Sequence, residues 1–421
     1  MTTYLDRRRA RVAEAWGLTD EIVLVGAGQP ISIPGGADQT YPFLSHSDYV
    51  FLADRECVGG VVAFDPREGW TDFVPDVTED ERVWEGRTDV EGTPLSSLAG
   101  WLAARRGRRI AMLGVPLPEV TADAEVTAEA AERLLQARRP KDEVELERVR
   151  RAAAATAAGF AAVQPLLRPG VTERQVQVEL EMDFLRRGAD RLAFGTIVGV
   201  GANSGVLHFA PGTRAAREGD NVLIDAGADF GRYCADVTRT YRVGPKEGFF
   251  RDLYQVVLIA QERGIQRCVP GAEWRDVHLE VARDLAEGLV SLGILRGTAS
   301  TLVEQDAHAL FFPHGLGHLV GLGVRDGSGY LPGRKRSARF GLAFLRCDFP
   351  LLPGYLITVE PGIYFIPALL QDPERRARYR DAVNWSKVDT LLGFGGIRIE
   401  DDVLVTEDRP EVLTAAIPKA L

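Results

Sequence analysis

The chain of 421 residues is poor in cysteine, methionine and histidine and has no long apolar run. Its four cysteines, Cys57, Cys234, Cys268 and Cys347, stand far apart with no C-x-x-C pair. That excludes a disulfide framework and a zinc ribbon, and it fits a reducing compartment. No stretch approaches the ~18 consecutive apolar residues of a membrane span. The opening stretch through Trp16 is charged and lacks the apolar segment of a signal peptide. A soluble, cytoplasmic protein is the expectation. Positive charge is also in short supply: 50 Lys and Arg stand against 60 Asp and Glu, a net charge of −10. The basic runs Arg7-Arg8-Arg9 and Arg105-Arg106 are isolated and read as solvated helix faces. Neither nucleic acid nor an anionic membrane is expected as a partner.

What is present is an ordinary globular composition, 45% hydrophobic and 26% charged, which excludes a mainly disordered chain. The length suits two to three domains. Glycine is in excess, 44 residues or about a tenth against a typical ~7%. The glycines are scattered without a three-residue period, so they predict many tight turns.

Residues 1–138 read as one α/β domain. Helices are expected at Tyr4–Trp16, around Leu95–Arg106 and at Thr127–Ala137, with a Pro/Gly-rich loop at Gln29–Gln39. Strands are expected at Tyr49–Leu52, Gly60–Phe64, Trp70–Val74 and Arg109–Gly114. Pro140 stops the third helix, and the charged turn from Arg138 to Asp142 suits a surface linker. From Asp142 the pattern turns long-helical through about Val163, so residues 139–421 form the second domain. This second part contains an echo. Pro169-Gly170-Val171-Thr172-Glu173-Arg174-Gln175-Val176 and Pro270-Gly271-Ala272-Glu273-Trp274-Arg275-Asp276-Val277 each open a helix, the first with a Thr172/Gln175 capping box. The echo is either coincidence or the trace of two related halves facing each other across a cleft.

The strongest local feature runs from Val222 to Tyr241 and reads as a hairpin with its turn at Phe230-Gly231. Paired positions in a two-residue hairpin sum to a constant, here 461, so Asp225 would face Asp236 directly. Two opposed carboxylates in apolar strands are destabilising. Either a divalent cation compensates, or the register differs and both are solvated. Three further segments add donors. Pro313-His314-Gly315-Leu316-Gly317-His318 places two of six histidines in a Gly-rich turn. Glu360 ends the apolar run Leu356–Val359. Glu400 follows Arg398 by two residues in an alternating strand, so Arg398 is expected to share its face and grip it with a forked hydrogen bond. Asp, Asp, His, Glu and Glu in one domain make a ligand set for two metal ions bridged by carboxylates.

At these residues the chain resembles the metal-dependent peptidases of the pita-bread fold, most of all Xaa-Pro dipeptidase (prolidase) and its relative aminopeptidase P. The likeness extends more loosely to Tyr41-Pro42-Phe43, Ser47-Asp48-Tyr49 and Glu79–Arg87. It implies an α/β chain of two domains: an N-terminal creatinase/aminopeptidase-P-like α/β domain for substrate access and oligomerisation, then a pita-bread (α+β, pseudo-twofold) catalytic domain. It implies that Asp225, Asp236, His318, Glu360 and Glu400 bind two divalent ions, manganese first, with cobalt or zinc as alternatives. His314 would then sit behind the ligands or along the substrate cleft. His208, in Asn203-Ser204-Gly205-Val206-Leu207-His208-Phe209, would contact the substrate carbonyl or the tetrahedral intermediate. Arg346 lies 14 residues before Glu360, the spacing of the prolidase arginine that grips a dipeptide's carboxylate. Tyr364 opens the prolidase-like insertion Tyr364–Leu392 and is a candidate substrate contact. One departure stands out: Val324-Arg325-Asp326 carries an arginine where the family has histidine. Arginine cannot serve as a general acid or base near neutral pH, but it can stabilise an oxyanion or bind a carboxylate.

The resemblance implies hydrolysis of small Xaa-Pro peptides by water activated between two metals, with Glu360 handling the proton. Aminopeptidase P activity on longer peptides is the alternative. A non-catalytic pita-bread binding protein, and the metal-free creatine-hydrolysing relatives, are disfavoured because all five ligands are present. Cleavage of organophosphorus esters, known among prolidases, is neither implied nor excluded. A homodimer is expected.

Overall fold

The computed structural model describes residues 3–421; Met1 and Thr2, the start of the charged N-terminal stretch, lie outside the described residues. The chain divides into two compact units, Met1–Arg138 and Arg139–Leu421. No helix of the described residues is long and apolar enough to cross a membrane.

In the first unit, helix Tyr4–Trp16 opens on a capping box in which Thr3 and Asp6 each accept the other's backbone N–H. Five strands follow: β1 Ile22–Gly26, β2 Val61–Asp65, β3 Gly69–Val74, β4 Thr93–Pro94 and β5 Ile110–Gly114. They form one mixed sheet in the order β4-β3-β2-β1-β5. Strand β1 is fully buried and pairs with β2 and β5, yet its continuous apolar run carries no alternation to announce it. The expected strand Tyr49–Leu52 is instead part of helix Ser47–Ala53. A four-residue apolar run does not distinguish a buried strand from a buried helix. Here His46 tips the balance, because its ring Nδ1 accepts the Asp48 N–H at the helix start. The helix expected at Leu95–Arg106 is shorter, a 3-10 turn at Leu95–Ser97 running into Leu98–Ala103. Helix Ala124–Arg138 closes the unit.

The second unit begins at helix Glu143–Val163, capped by Asp142. Its first half adds helix Glu173–Arg186 and the strands β6 Arg191–Leu192, β7 Ile197–Val200, β8 Asn221–Ala226, β9 Ala228–Phe230, β10 Tyr233–Cys234 and β11 Val237–Arg242. Its second half has helices Phe249–Gln266 and Trp274–Ser291. The strands there are β12 Gly329–Tyr330, β13 Cys347–Asp348, β14 Leu356–Val359, β15 Gly362–Tyr364, β16 Gly396–Arg398, β17 Asp401–Leu404 and β18 Glu411–Val412. Each half has its own apolar core between helices and sheet.

The Pro-Gly echo is a real structural repeat. Gly170 N–H donates to Ala216 O, Ala216 N–H to Val171 O and Glu173 N–H to Arg214 O. In the second half Gly271 donates to Leu351 O, Leu351 to Ala272 O and Trp274 to Phe349 O. The match continues into the sheets: Gly219 donates to Val243 O as Gly354 donates to Val405 O. Asp225 lies six residues past Gly219, and Glu360 six past Gly354. Thr238 lies five before Val243, and Glu400 five before Val405. Asp225 and Glu360 are thus counterparts, as are Thr238 and Glu400.

The hairpin register differs from the expectation. Asp225 pairs with Thr238, and Phe230 with Tyr233, so paired positions sum to 463. The turn is centred on Gly231-Arg232, both with positive φ (56° and 74°), the pattern of a type I′ turn. Its twist matches the flanking strands, and that preference places an arginine in the left-handed region. Because the sum shifts by two, Asp225 and Asp236 keep the same face. They are diagonal neighbours, not opposed ones.

Candidate metal centre

The site lies where the two halves of the second unit meet. Strand β8 brings Asp225, and the break between β10 and β11 brings Asp236, whose backbone N–H donates to Asp402 Oδ2 at 3.0 Å. The segment before Leu319 brings His318. It runs hard against β14: Thr358 N–H donates to His318 O, and His318 N–H to Thr358 Oγ1 at 3.0 Å. A Cβ at Gly317 would stand 1.9 Å from Thr358 O, so only glycine allows this approach. Glu360 follows β14, and Glu400 falls in the break between β16 and β17.

Asp236, His318 and Glu400 offer ligand atoms that all lie within 4.8 Å of one another. His318 Nε2 is 3.5 Å from Asp236 Oδ2 and 3.8 Å from Glu360 Oε1. Its Nδ1 faces Leu319 O at 3.2 Å, which fixes the proton there and turns the Nε2 lone pair toward the two carboxylates. Burial pushes the imidazole pKa down to about 3, so the ring is neutral. A lone pair aimed at two carboxylates is repulsive unless a cation or a proton stands between them. Asp225 Oδ1 is buried without a hydrogen-bond partner. Burial pushes the Asp236 and Glu400 carboxyls well above the usual range, helped by the neighbouring carboxylates. Burial and Asp225 raise Glu360 to about 7 against the pull of Arg398. An unpartnered oxygen, an unprotonated imidazole nitrogen and crowded carboxylates fit hard divalent cations of the Mn²⁺ kind.

Arg398 is the fixed cation of the cluster, and its partners differ from the expectation. Its Nη2 donates to Asp225 Oδ2 at 2.6 Å, Nη1 to Tyr364 Oη at 2.8 Å and Nε to Thr238 Oγ1 at 2.9 Å. It does not bond Glu400. Strand β16 ends at Arg398 and β17 begins at Asp401, so the two-residue alternation is broken between them. Thr238 makes the link instead, donating to Glu400 Oε2 at 2.5 Å. Tyr364 also differs: it is fully buried, and its hydroxyl sits behind the site, donating to His314 Nε2 at 2.9 Å while accepting from Arg398. It does not line the cavity where a substrate contact would be needed.

That cavity has a volume of about 890 Å³. The five acid and imidazole side chains, His208, His314, Arg325, Arg346 and Arg398 line it, with apolar walls from Phe194, Leu207, Phe209, Phe344 and Ile366. His208 has its pKa lowered by burial and by Arg325, Arg346 and Arg398. His314 is pushed down to about 3, chiefly by burial, and its Nδ1 donates to Gly315 O. All the residues expected at the site, Tyr364 excepted, therefore face one space.

Four supporting residues were not among those expected from the sequence. Thr238 shares a face with Asp236, two residues on, a weak signal for a bridging hydroxyl. Glu173, the first residue of its helix, is fully buried and accepts the N–H groups of Val200 and Gly212 and the Asn203 amide, tying down the loop that carries His208. Lys141 and Asp326 form an ion pair at 2.7 Å, with both side chains wholly buried beside Arg325. No local pattern signals either of the last two.

Comparison with known proteins agrees with this geometry. Residues 147–407 match the model of metallopeptidase family M24. An Xaa-Pro dipeptidase of Shewanella amazonensis is 37% identical over 278 residues, which cover 65% of this chain and 62% of that protein. An Xaa-Pro aminopeptidase of Escherichia coli is 37% identical over 283 residues, covering 66% and 57%. The chain thus spans about three-fifths of the length of these relatives. The structure of Pseudomonas aeruginosa aminopeptidase PepP superposes with a TM-score of 0.79 at 25% identity, covering 100% of this chain and 97% of that one. With the metal-ready cluster and the match over most of the second unit, the chain belongs to metallopeptidase family M24.

Proposed function

We propose that the protein hydrolyses the peptide bond before proline in small Xaa-Pro peptides, with dipeptides as the first substrate. The observation that carries this reading is the five-residue carboxylate–imidazole cluster, with its unpartnered Asp225 Oδ1, opening onto a cavity that also holds Arg346. Asp225, Asp236, His318, Glu360 and Glu400 would hold two divalent ions, Mn²⁺ by preference. When bound, such ions supply Lewis-acid activation of water and of the scissile carbonyl. Glu360 takes the proton of the attacking water and passes it to the leaving imide nitrogen as the C–N bond breaks. His208, neutral by its surroundings, donates a ring N–H to the developing oxyanion. Arg325, as an arginine, takes no part in proton transfer but can join His208 in stabilising the oxyanion. Arg346 accepts the dipeptide's carboxylate in a forked pair.

Aminopeptidase activity on longer peptides is the second reading. It is favoured by a cavity larger than a dipeptide requires and by relatives that carry both names. The deciding experiment compares Ala-Pro with Ala-Pro-Ala after chelation and return of Mn²⁺. A higher kcat/KM for Ala-Pro supports the dipeptidase; no activity on either overturns both readings. A cytoplasmic homodimer completes the proposal. Its support is the apolar pair Val83 and Trp84, exposed on helix Glu79–Trp84 of the first unit.

A further inference from the structure

A second cavity, of about 290 Å³, adjoins the first. It is lined by Arg325, Ser328, Tyr330, Arg336, Phe344 and Arg346, among others. Arg325, Phe344 and Arg346 line both spaces, so the two meet at these side chains. The second space therefore continues the substrate cavity past the arginine assigned to a dipeptide's carboxylate.

Its charge is unbalanced. Among the described residues Arg325, Arg336 and Arg346 carry no ion pair. The carboxylates of the neighbouring segments are already engaged. Asp326 pairs with Lys141, Glu273 with Arg334, Asp348 with Arg275 and Arg334, and Asp306 with Arg339. The other arginines of this stretch, Arg334 and Arg339, thus have acidic partners while these three do not. Arg336 is also held in place: its Nε donates to Ala343 O at 2.5 Å, and its guanidinium lies 5.5 Å from the centre of the Phe344 ring. The half-buried Arg346 has its pKa lowered by burial and by the Arg325 and Arg336 guanidinium groups, against the pull of Glu360 on the side of the first cavity. A dipeptide brings one carboxylate to three guanidinium groups.

We infer that this second cavity is a subsite for an acidic residue following the proline, so that among peptides longer than a dipeptide the protein prefers the form Xaa-Pro-Glu or Xaa-Pro-Asp. The C-terminal and side-chain carboxylates together meet the three arginines. The inference rests on the Xaa-Pro reading for its scissile bond, but the subsite itself does not.

Two measurements on the Mn²⁺-loaded protein test it. The first is the ratio of kcat/KM for Ala-Pro-Glu over the isosteric Ala-Pro-Gln. The second is the ratio of affinities for the product dipeptides Pro-Glu and Pro-Gln, read by calorimetry. A preference for Glu of about fivefold is expected in each, the scale of one partly exposed ion pair. Arg336 is solvent-exposed, so Arg336→Ala and Arg336→Glu should fold. Arg336→Ala should shrink both ratios toward one, and Arg336→Glu should invert them in favour of a Pro-Lys series. Ratios near one in the unmodified protein, or ratios untouched by both variants, overturn the subsite. Absence of all hydrolysis with the Pro-Glu preference intact would sink the Xaa-Pro reading and leave the subsite standing.

Discussion

Glu173 offers the sharpest test of how the fold positions the cavity at the carboxylate–imidazole cluster. Its carboxylate is fully buried at the first position of helix Glu173–Arg186. One oxygen accepts Val200 N–H at 2.9 Å and the Asn203 amide at 2.7 Å; the other accepts Gly212 N–H at 3.0 Å. These donors span the loop that carries His208. In Glu173→Ala all three lose their acceptor. Hydrogen bonds to a charged group contribute about 1.5–3 kcal/mol each, and part of the loss is offset by the desolvation the carboxylate no longer suffers. A net loss of about 3 kcal/mol is expected. Glu173→Gln keeps one acceptor but turns its NH₂ against one of the N–H donors, for a loss of about 1–2 kcal/mol. Urea unfolding measures both values, and kcat/KM on Ala-Pro measures the effect on the His208 loop. Activity should fall in the same order, with Ala lower than Gln. A loss below about 0.5 kcal/mol for Glu173→Ala, with activity unchanged, would refute the claim that this carboxylate organises the loop.

Three other outcomes follow from the same geometry. Arg346→Ala should raise KM for Xaa-Pro dipeptides far more than it weakens Mn²⁺ binding; an unchanged KM removes Arg346 from carboxylate recognition. Chelation should lower the unfolding midpoint, and Mn²⁺ at a hundred times its Kd should return about 2.7 kcal/mol of stability, whereas Asp236→Asn should show little of this response. Acid should destabilise the fold through His278, buried with its Nδ1 accepting Leu316 N–H and its Nε2 facing Gly341 O. Burial holds its pKa at about 4 in the folded state against 6.5 for the free group. The unfolded chain therefore binds the extra proton first, and stability falls as pH drops from about 6.5 to 4, by about 3 kcal/mol from this residue. His278→Gln should flatten that slope in urea titrations; an unaltered slope would show that His278 does not carry it.

The donor types and their spacing were legible in the sequence because each candidate ligand sits in or just after an apolar strand or in a glycine-rich turn. The Pro-Gly echo was legible too, as the opening of two equivalent helices. Pairing was less so. The turn preference for two positive-φ residues moved the register by one position on each strand, and only the evenness of that shift kept Asp225 and Asp236 together. Arg398 pointed elsewhere because the alternation it relied on stops at a strand break. Tyr364 was read from an insertion boundary, which carries no information on facing. Glu173 and the Lys141–Asp326 pair act across long sequence separations, where no local pattern reaches. The buried strand Ile22–Gly26 and the helix Ser47–Ala53 show the remaining ambiguity, since full burial erases the periodicity that distinguishes one element from the other.

The repeat in the second unit bears on synthesis as well as on architecture. Asp225 and Asp236 belong to one half; His318, Glu360 and Glu400 belong to the other. During translation the first half emerges with two acids and a Thr238 whose partner Glu400 is still more than 150 residues away. The second half is nearly finished before that glutamate appears. A ribosome-bound chain therefore holds only fragments of the proposed centre, which is complete only when both halves have closed on each other. The same division would make a cation held by all five residues a clasp between the two halves.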